Sequence, residues 1–252
     1  MRLDWSPLRA ELSKWRRKNM TLPVWWRDDD AIEVTPHLER LVTRSEAVGV
    51  PIHLAIIPRD ASKELADFIK ETDHIVPVVH GWSHTDHQPD ADTNCEFGEA
   101  RSRDIRREEA GEGLRRLQRM IGDDVCPMFV PPWNRVGSDM LVDLPALGYR
   151  YLSTCNPRDI EEPAAGLQVI NTHIDPIYWR PSRHMSHPEL VIEKMTNLLK
   201  KRRQGKSDNA EPFGLLTHHL AHSPKIWEFC RQYWMELLDG PVEIFDARRA
   251  TN

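Results

Sequence analysis

The sequence has little that would anchor it in a membrane, cross-link it or draw it to a polyanion. No stretch approaches the ~18 consecutive apolar residues of a membrane span. The opening MRLDWSPLRAELSKWRRKN scatters charges and tryptophans where a secretory leader needs an apolar run of about 7–15 residues. No membrane association is therefore expected, and a cytoplasmic location is. Cysteine is sparse: Cys95, Cys126, Cys155 and Cys230 stand far apart with no CxxC pair, which excludes a zinc knuckle and a dithiol redox motif. Nothing beside Cys155 marks it as a nucleophile. Positive charge is not in excess, with 34 Lys and Arg against 39 Asp and Glu and a formal net charge of −5, so nucleic acid is not an expected partner. The one dense basic run, KKRRQGK over 200–206, follows an amphipathic stretch, where cations suit a helix C-terminus. The absence of a fixed-period repeat or a low-complexity tract excludes a solenoid or a string of modules.

What the sequence does have is alternation. From about residue 24, short runs rich in Val, Ile and Leu alternate with longer helical patterns, as in βαβ units around a parallel sheet. Strands are expected at Val24–Arg27, Ile52–Ile57, Ile75–Val79, Met128–Val130, Tyr149–Ser153, Leu167–Thr172, Phe213–Thr217 and Val242–Phe245. Helices are expected near Pro36–Val48, Ser62–Glu71, Glu96–Ile121, Ser138–Leu147, Pro188–Arg203 and Pro224–Leu238, several of them opening at Ser, Thr or Pro. This number of units suggests an α/β barrel, a single domain over residues 1–252 with its core at about 22–245. The His- and Asp-rich segment from Gly81 to Asn94 is long for a plain connector, and long loops in compact domains are often functional.

Two features carry chemistry. In WWRDDDA an apolar strand ends in Asp28, Asp29 and Asp30, three carboxylates that repel one another. Capping of the next helix and metal binding explain them equally well. In HGWSHTDH, His80, His84 and His87 follow the apolar run IVPVV. An H-x-x-x-H pair on a turning segment can reach one ion, and neutral imidazole suits zinc, nickel, cobalt or iron. The C-terminal strand ends of parallel α/β folds converge on one face, so the acidic strand end and the histidines can meet there. One carboxylate with two imidazoles leaves coordination positions open for water or substrate, as hydrolytic metal sites require.

At these residues the chain resembles the polysaccharide deacetylases of carbohydrate esterase family 4, the group with the NodB homology domain. The likeness runs over roughly residues 22–245. WRDDDAIEVTP is similar to that family's TFDDG motif with its following Thr-Pro; counting back from Thr35 implies Asp28 as catalytic base and Asp29 as metal ligand, with Asp30 in the glycine position. His80-Gly81-Trp82-Ser83-His84 resembles H-[S/T]-x-x-H and implies both histidines as ligands. Phe129-Val130-Pro131-Pro132-Trp133-Asn134 resembles FRPPWG and implies that Pro132 and Trp133 shape the oxyanion site, with the Trp133 N–H as donor. Val130 stands where the family has the arginine that orients the base, and Arg27 and Arg135 are the candidate replacements. Asp175-Pro176-Ile177-Tyr178-Trp179 follows D-x-x-D-W only in outline, with Tyr178 in place of the aspartate that tunes the catalytic histidine. Leu216-Thr217-His218 matches L-x-H and implies His218 as general acid, with His219 and His222 as nearby alternatives.

The resemblance implies a distorted (β/α) barrel of about seven strands and a divalent cation, zinc first, with cobalt, nickel or iron as alternatives. It further implies hydrolysis of an N-acyl group on an amino sugar or oligosaccharide. Trp82 and Trp133 are candidate pocket aromatics. Two other readings stand beside this one: hydrolysis of another C–N bond in a cyclic amide or small acylated metabolite, and a carbohydrate-binding relative that has lost catalysis.

Overall fold

The computed structural model describes residues 3–89, 93–179 and 184–249, so Asp90, Ala91 and Asp92 of the long His-rich segment lie outside the described residues. The expected alternation is present. The strands are β1 (Leu22–Ala31), β2 (Ile52–Ile56), β3 (Ile75–His80), β4 (Met128–Val130), β5 (Tyr151–Leu152), β6 (Gln168–Val169), β7 (Thr172–Ile174), β8 (Ile177–Tyr178), β9 (His184–Met185), β10 (Phe213–Thr217) and β11 (Val242–Ile244). The helices are α1 (Ser6–Arg17), α2 (Pro36–Val48), α3 (Lys63–Lys70), α4 (Arg103–Ile121), α5 (Pro188–Arg203) and α6 (Pro224–Leu238).

The main sheet runs β6-β5-β4-β3-β2-β1-β10-β7, with β11 added to the start of β1 and every pairing parallel. Strands β6 and β7 are consecutive stretches of one segment. Its first half pairs with β5, and Thr172 bridges Cys155 before its second half pairs with β10. The sheet therefore curls back on itself as a distorted (β/α) barrel. Its interior is filled by Trp25, Ala55, Val76, Val78, Met128, Val130, Tyr151 and Ile170, side chains spaced by two along their strands as the pleat dictates. The larger apolar cluster lies between the outer face of the sheet and the helices.

Caps explain the helix starts. Thr35, Ser62 and Ser223 each accept a hydrogen bond from the backbone N–H three residues on, at 3.1, 3.0 and 3.4 Å, and Pro occupies the first turn of α2, α5 and α6. Two expectations need correction. The stretch Ser138–Leu147 forms two 3₁₀ turns instead of an α-helix, because Gly137, Pro145 and Gly148 punctuate it. Helix α4 begins only at Arg103, the preceding residues being loop that packs beneath the histidine turn. Helix α1 was not foreseen; it buries Leu8, Leu12 and Trp15 along one stripe and seats the Trp15 indole N–H on the Leu199 carbonyl at 3.2 Å. Among the described residues no helix is long and apolar enough to cross a membrane.

Candidate metal centre and catalytic site

Strand β1 ends at the mouth of the barrel, and its pleat sorts the acidic triple. Trp25, Arg27 and Asp29 share the barrel-interior face, while Trp26 and Asp28 face the helices, with Trp26 against Trp234 at 5.5 Å between ring centroids. Asp30 breaks the alternation. Its φ of 78° is left-handed, and the pairing of β1 with β2 shifts register between Asp28 and Ala31. The twist turns the Asp30 carboxylate toward β3.

There it meets both histidines. Asp30 Oδ1 lies 3.1 Å from His80 Nε2 and 3.3 Å from His84 Nε2, and one ligand atom from each of these residues falls within 4.8 Å of the others. His80 Nδ1 donates to the Val130 carbonyl at 2.9 Å, which fixes the tautomer that leaves Nε2 free as a ligand. His84, itself at a φ of 53°, packs its ring 4.3 Å from that of Trp133. Burial opposes ionisation of Asp30, but the imidazoles of His80, His218 and His84 outweigh it and hold the carboxyl well below its ordinary range. One carboxylate and two imidazoles, converging and partly open to solvent, have the donor chemistry of a catalytic site for a divalent cation.

The count back from Thr35 puts the metal aspartate at Asp29 and the base at Asp28, whereas the carboxylate that converges with the histidine pair is that of Asp30. Asp29 is held by Arg27 in a bidentate pair, Nε to Oδ1 at 2.9 Å and Nη2 to Oδ2 at 3.0 Å, both side chains buried. Asp28 lies on the opposite face of β1. Its Oδ2 accepts from Thr217 Oγ1 at 2.5 Å and its Oδ1 faces His219 Nδ1 at 2.5 Å, so it is spent in a buried network away from the histidine pair. His219 is accounted for by that bond.

Of the two candidates for the arginine missing at Val130, Arg27 is the one that holds a carboxylate of the acidic strand end. Besides Asp29, its guanidinium reaches Ser153 Oγ at 2.7 Å, the Ser153 and Thr154 carbonyls at 3.1 Å each, and Asn134 Oδ1 at 2.6 Å. Arg27 and Val130 are both fully buried. Arg135 is excluded from this task, as its Nη1 donates to the Asn94 carbonyl at 2.9 Å.

His218 follows β10 and completes the group. Its Nε2 is 4.0 Å from Asp29 Oδ2, and its ring meets the edge of Trp179 at 4.6 Å. Trp179 Nε1 in turn donates to Asp175 Oδ2 at 2.8 Å. Burial raises the Asp175 carboxyl above its ordinary range, and the charge of His218 works against that rise. Tyr178, in the motif aspartate's position, is exposed, with its ring tilted against that of His184 at 5.2 Å between centroids. His222 Nε2 accepts the His218 backbone N–H at 3.3 Å, so it supports His218 instead of replacing it.

Glu96 is a site residue that motif reading missed. Fully buried, it accepts from the backbone N–H groups of Trp82 and Ser83 at 3.3 and 2.7 Å and from Ser83 Oγ at 2.7 Å, bracing the turn that carries His84. A Cβ at Gly81, whose φ is 57°, would fall 2.3 Å from Glu96 Oε2 and 2.5 Å from Pro132 Cδ. That contact explains glycine where the motif has Ser or Thr. Pro132 is the buried wall of this turn, Trp82 packs half-buried against the main core, and His87 joins neither.

No family model and no curated protein matches the sequence. Solved structures do match the fold. A polysaccharide-deacetylase-type protein from Mycobacterium smegmatis superposes with a TM-score of 0.61 at 15% identity, over 85% of this chain and 75% of its own. A family 4 esterase from Streptococcus mutans does so at 0.56 and 11%, over 93% and 91%. The fold is that of the polysaccharide deacetylases of carbohydrate esterase family 4. A peptidoglycan N-acetylglucosamine deacetylase also matches, at 0.53 and 12%, over 89% of this chain and 86% of its own. At these identities the likeness is one of fold, carried by a divergent sequence.

Proposed function

We propose that this chain is a metal-dependent hydrolase that removes an N-acyl group, acetyl in the first instance, from an amino sugar or oligosaccharide. One observation carries the reading: the Asp30, His80 and His84 group opens beside an Arg27-tethered carboxylate on one side and His218 on the other. The peptidoglycan N-acetylglucosamine deacetylase among the structural relatives supports the substrate class. Zinc is the proposed ion, because it accepts mixed imidazole and carboxylate donors without a geometric preference of its own. When bound, a divalent cation supplies Lewis acidity, polarising a carbonyl and lowering the pKa of a water toward about 7.

The chain's own residues do the rest. Asp29, locked in orientation by Arg27, accepts the proton of the water as its oxygen adds to the acyl carbon. The backbone N–H of Trp133 faces the developing oxyanion. As the C–N bond breaks, His218 delivers a proton to the leaving nitrogen, giving a carboxylate and an amine. Trp179, 38% exposed and against His218, offers a face on which a sugar ring stacks.

Acetate release from a panel of N-acetylated sugars, measured with and without chelator, tests the reading. Activity that chelation abolishes and added zinc restores is the expected result. Full activity in metal-free protein overturns the metal role, and turnover of cyclic amides alone moves the substrate to another class of C–N bond.

A further inference from the structure

Outside this site, helices α2 and α6 enclose a cavity of about 390 Å³ lined by Arg40, Arg44, His222, Trp227, Glu228 and Arg231. Helical spacing creates it. Arg40 and Arg44 stand one turn apart on α2, and Trp227 and Arg231 one turn apart on α6, so both pairs face the same gap. The Arg44 guanidinium lies 4.7 Å from the centroid of the Trp227 ring, which holds it in place by a cation–π contact. Pro224, the first residue of α6, also lines the gap, bringing the positive end of that helix to it.

The charge in this cavity is unbalanced. Glu228 is the one carboxylate among the described residues that line it, and it is already engaged by Arg231 at 2.9 and 2.8 Å and by Gln232 at 2.7 Å. Arg40 and Arg44 have no carboxylate partner among the described residues. Arg40 Nη2 sits 3.2 Å from His37 Nδ1, and Arg44 Nη1 donates to the Arg40 carbonyl at 2.9 Å. Burial, and then the charge of Arg40, hold the Arg44 guanidinium below its ordinary range. His222 is a further sign of an incomplete site: it is 6% exposed, and its Nδ1 is buried without a hydrogen-bond partner among the described residues. Burial, helped by His218, His219 and Arg44, pushes its imidazole down to about 2, so it stays neutral and the positive charge rests on the arginines.

Two guanidiniums without a carboxylate partner among the described residues, a helix N-terminus and an aromatic face in one cavity match a doubly charged tetrahedral oxyanion better than a carboxylate, since each guanidinium can meet two of its oxygens. We propose that this cavity binds a phosphate group, free or carried on a sugar, through Arg40 and Arg44. The site is separate from the metal centre and does not depend on the hydrolase reading. It touches the catalytic region at one point, through the His222 ring that accepts the His218 backbone N–H.

Titration calorimetry of the zinc-loaded full chain with inorganic phosphate and with glucosamine 6-phosphate, against sodium chloride at matched ionic strength, tests the proposal. Saturable binding is expected, at least tenfold weaker in Arg44→Gln and in Arg40→Gln, and unchanged in Asp30→Asn. Tighter binding of the sugar phosphate assigns the natural source to a phosphorylated sugar, and equal binding assigns it to free phosphate; either supports the site. Arg40 is exposed, so its variant keeps the test valid if Arg44→Gln fails to fold. Absence of saturable binding beyond the salt control overturns the proposal. So does binding that survives in Arg40→Gln and Arg44→Gln or disappears in Asp30→Asn, which would place the phosphate at the metal centre.

Discussion

At the scale of single residues, one buried arginine decides how the acidic strand end is divided. Arg27 fixes Asp29 by two hydrogen bonds and is itself satisfied on all sides, so neither charge is left uncompensated in the barrel. Arg27→Leu strands the Asp29 carboxylate and is expected to cost about 3–5 kcal/mol in chemical denaturation, as removal of one partner of a buried pair does. Arg27→Lys keeps the charge but loses the fork. It is expected to fold and to lower kcat at least tenfold with little change in KM; unchanged kcat would show that the tether plays no part in turnover. Part of this arrangement was legible in advance. Arg27 was one of two candidates for the missing motif arginine, and the period of two along a strand puts Arg27 and Asp29 on one face. The role of Asp30 was not legible, because it depends on a left-handed φ at a bulge that no residue type in WWRDDDA announces.

At the scale of elements, the histidine turn shows how a motif can change a residue and keep its shape. In this chain Gly81 leaves room for Glu96, and Glu96 ties down the backbone that presents His84. Glu96→Gln offers one carbonyl oxygen where three donors converge, and metal affinity is expected to fall about 10–100-fold, as loss of a partner behind a metal ligand does. Gly81→Ser restores the residue usual in the resembled motif, yet should weaken metal binding at least as much, since its Cβ collides with Glu96 and Pro132. Metal titration of either variant at wild-type affinity would contradict this account of the turn. Helices with a Thr, Ser or Pro start, such as α2, α5 and α6, were readable to within a residue because caps are local chemistry. Helix α1 was hidden for a different reason. Its stripe includes Glu11, buried at 1% exposure only because Arg203 reaches across from α5 to pair with it.

At the scale of the whole molecule, the strands converge their C-terminal ends on the site while the opposite side of the barrel is closed by a titratable latch. His53 is buried there: its Nδ1 lies 3.1 Å from the Trp26 carbonyl, and its Nε2 accepts the backbone N–H of Ala247 at 3.1 Å. That arrangement holds only for the neutral ring, and burial pushes the imidazole down to about 4. The unfolded chain, with an ordinary imidazole near about 6.5, binds the proton first. Stability is therefore expected to fall as pH drops from about 6.5 to about 4, by a His53 contribution on the order of 3 kcal/mol, and to be level in this respect above that window. Denaturation of the wild type and His53→Gln between pH 7 and 4.5 reads the difference, and parallel curves would rule out the latch. Barrel class followed from the alternation of strands and helices, but the strand order and the curl that brings β1, β3, β4 and β10 to one mouth are properties of the closed sheet. The assignment of Asp30 to the metal and Asp29 to the proton rests on that convergence. Its most direct test is zinc content and acetate release measured side by side in Asp29→Asn and Asp30→Asn. The proposed assignment predicts near-stoichiometric zinc without turnover in the first and loss of zinc with loss of turnover in the second; loss of zinc in Asp29→Asn with retention in Asp30→Asn would contradict it.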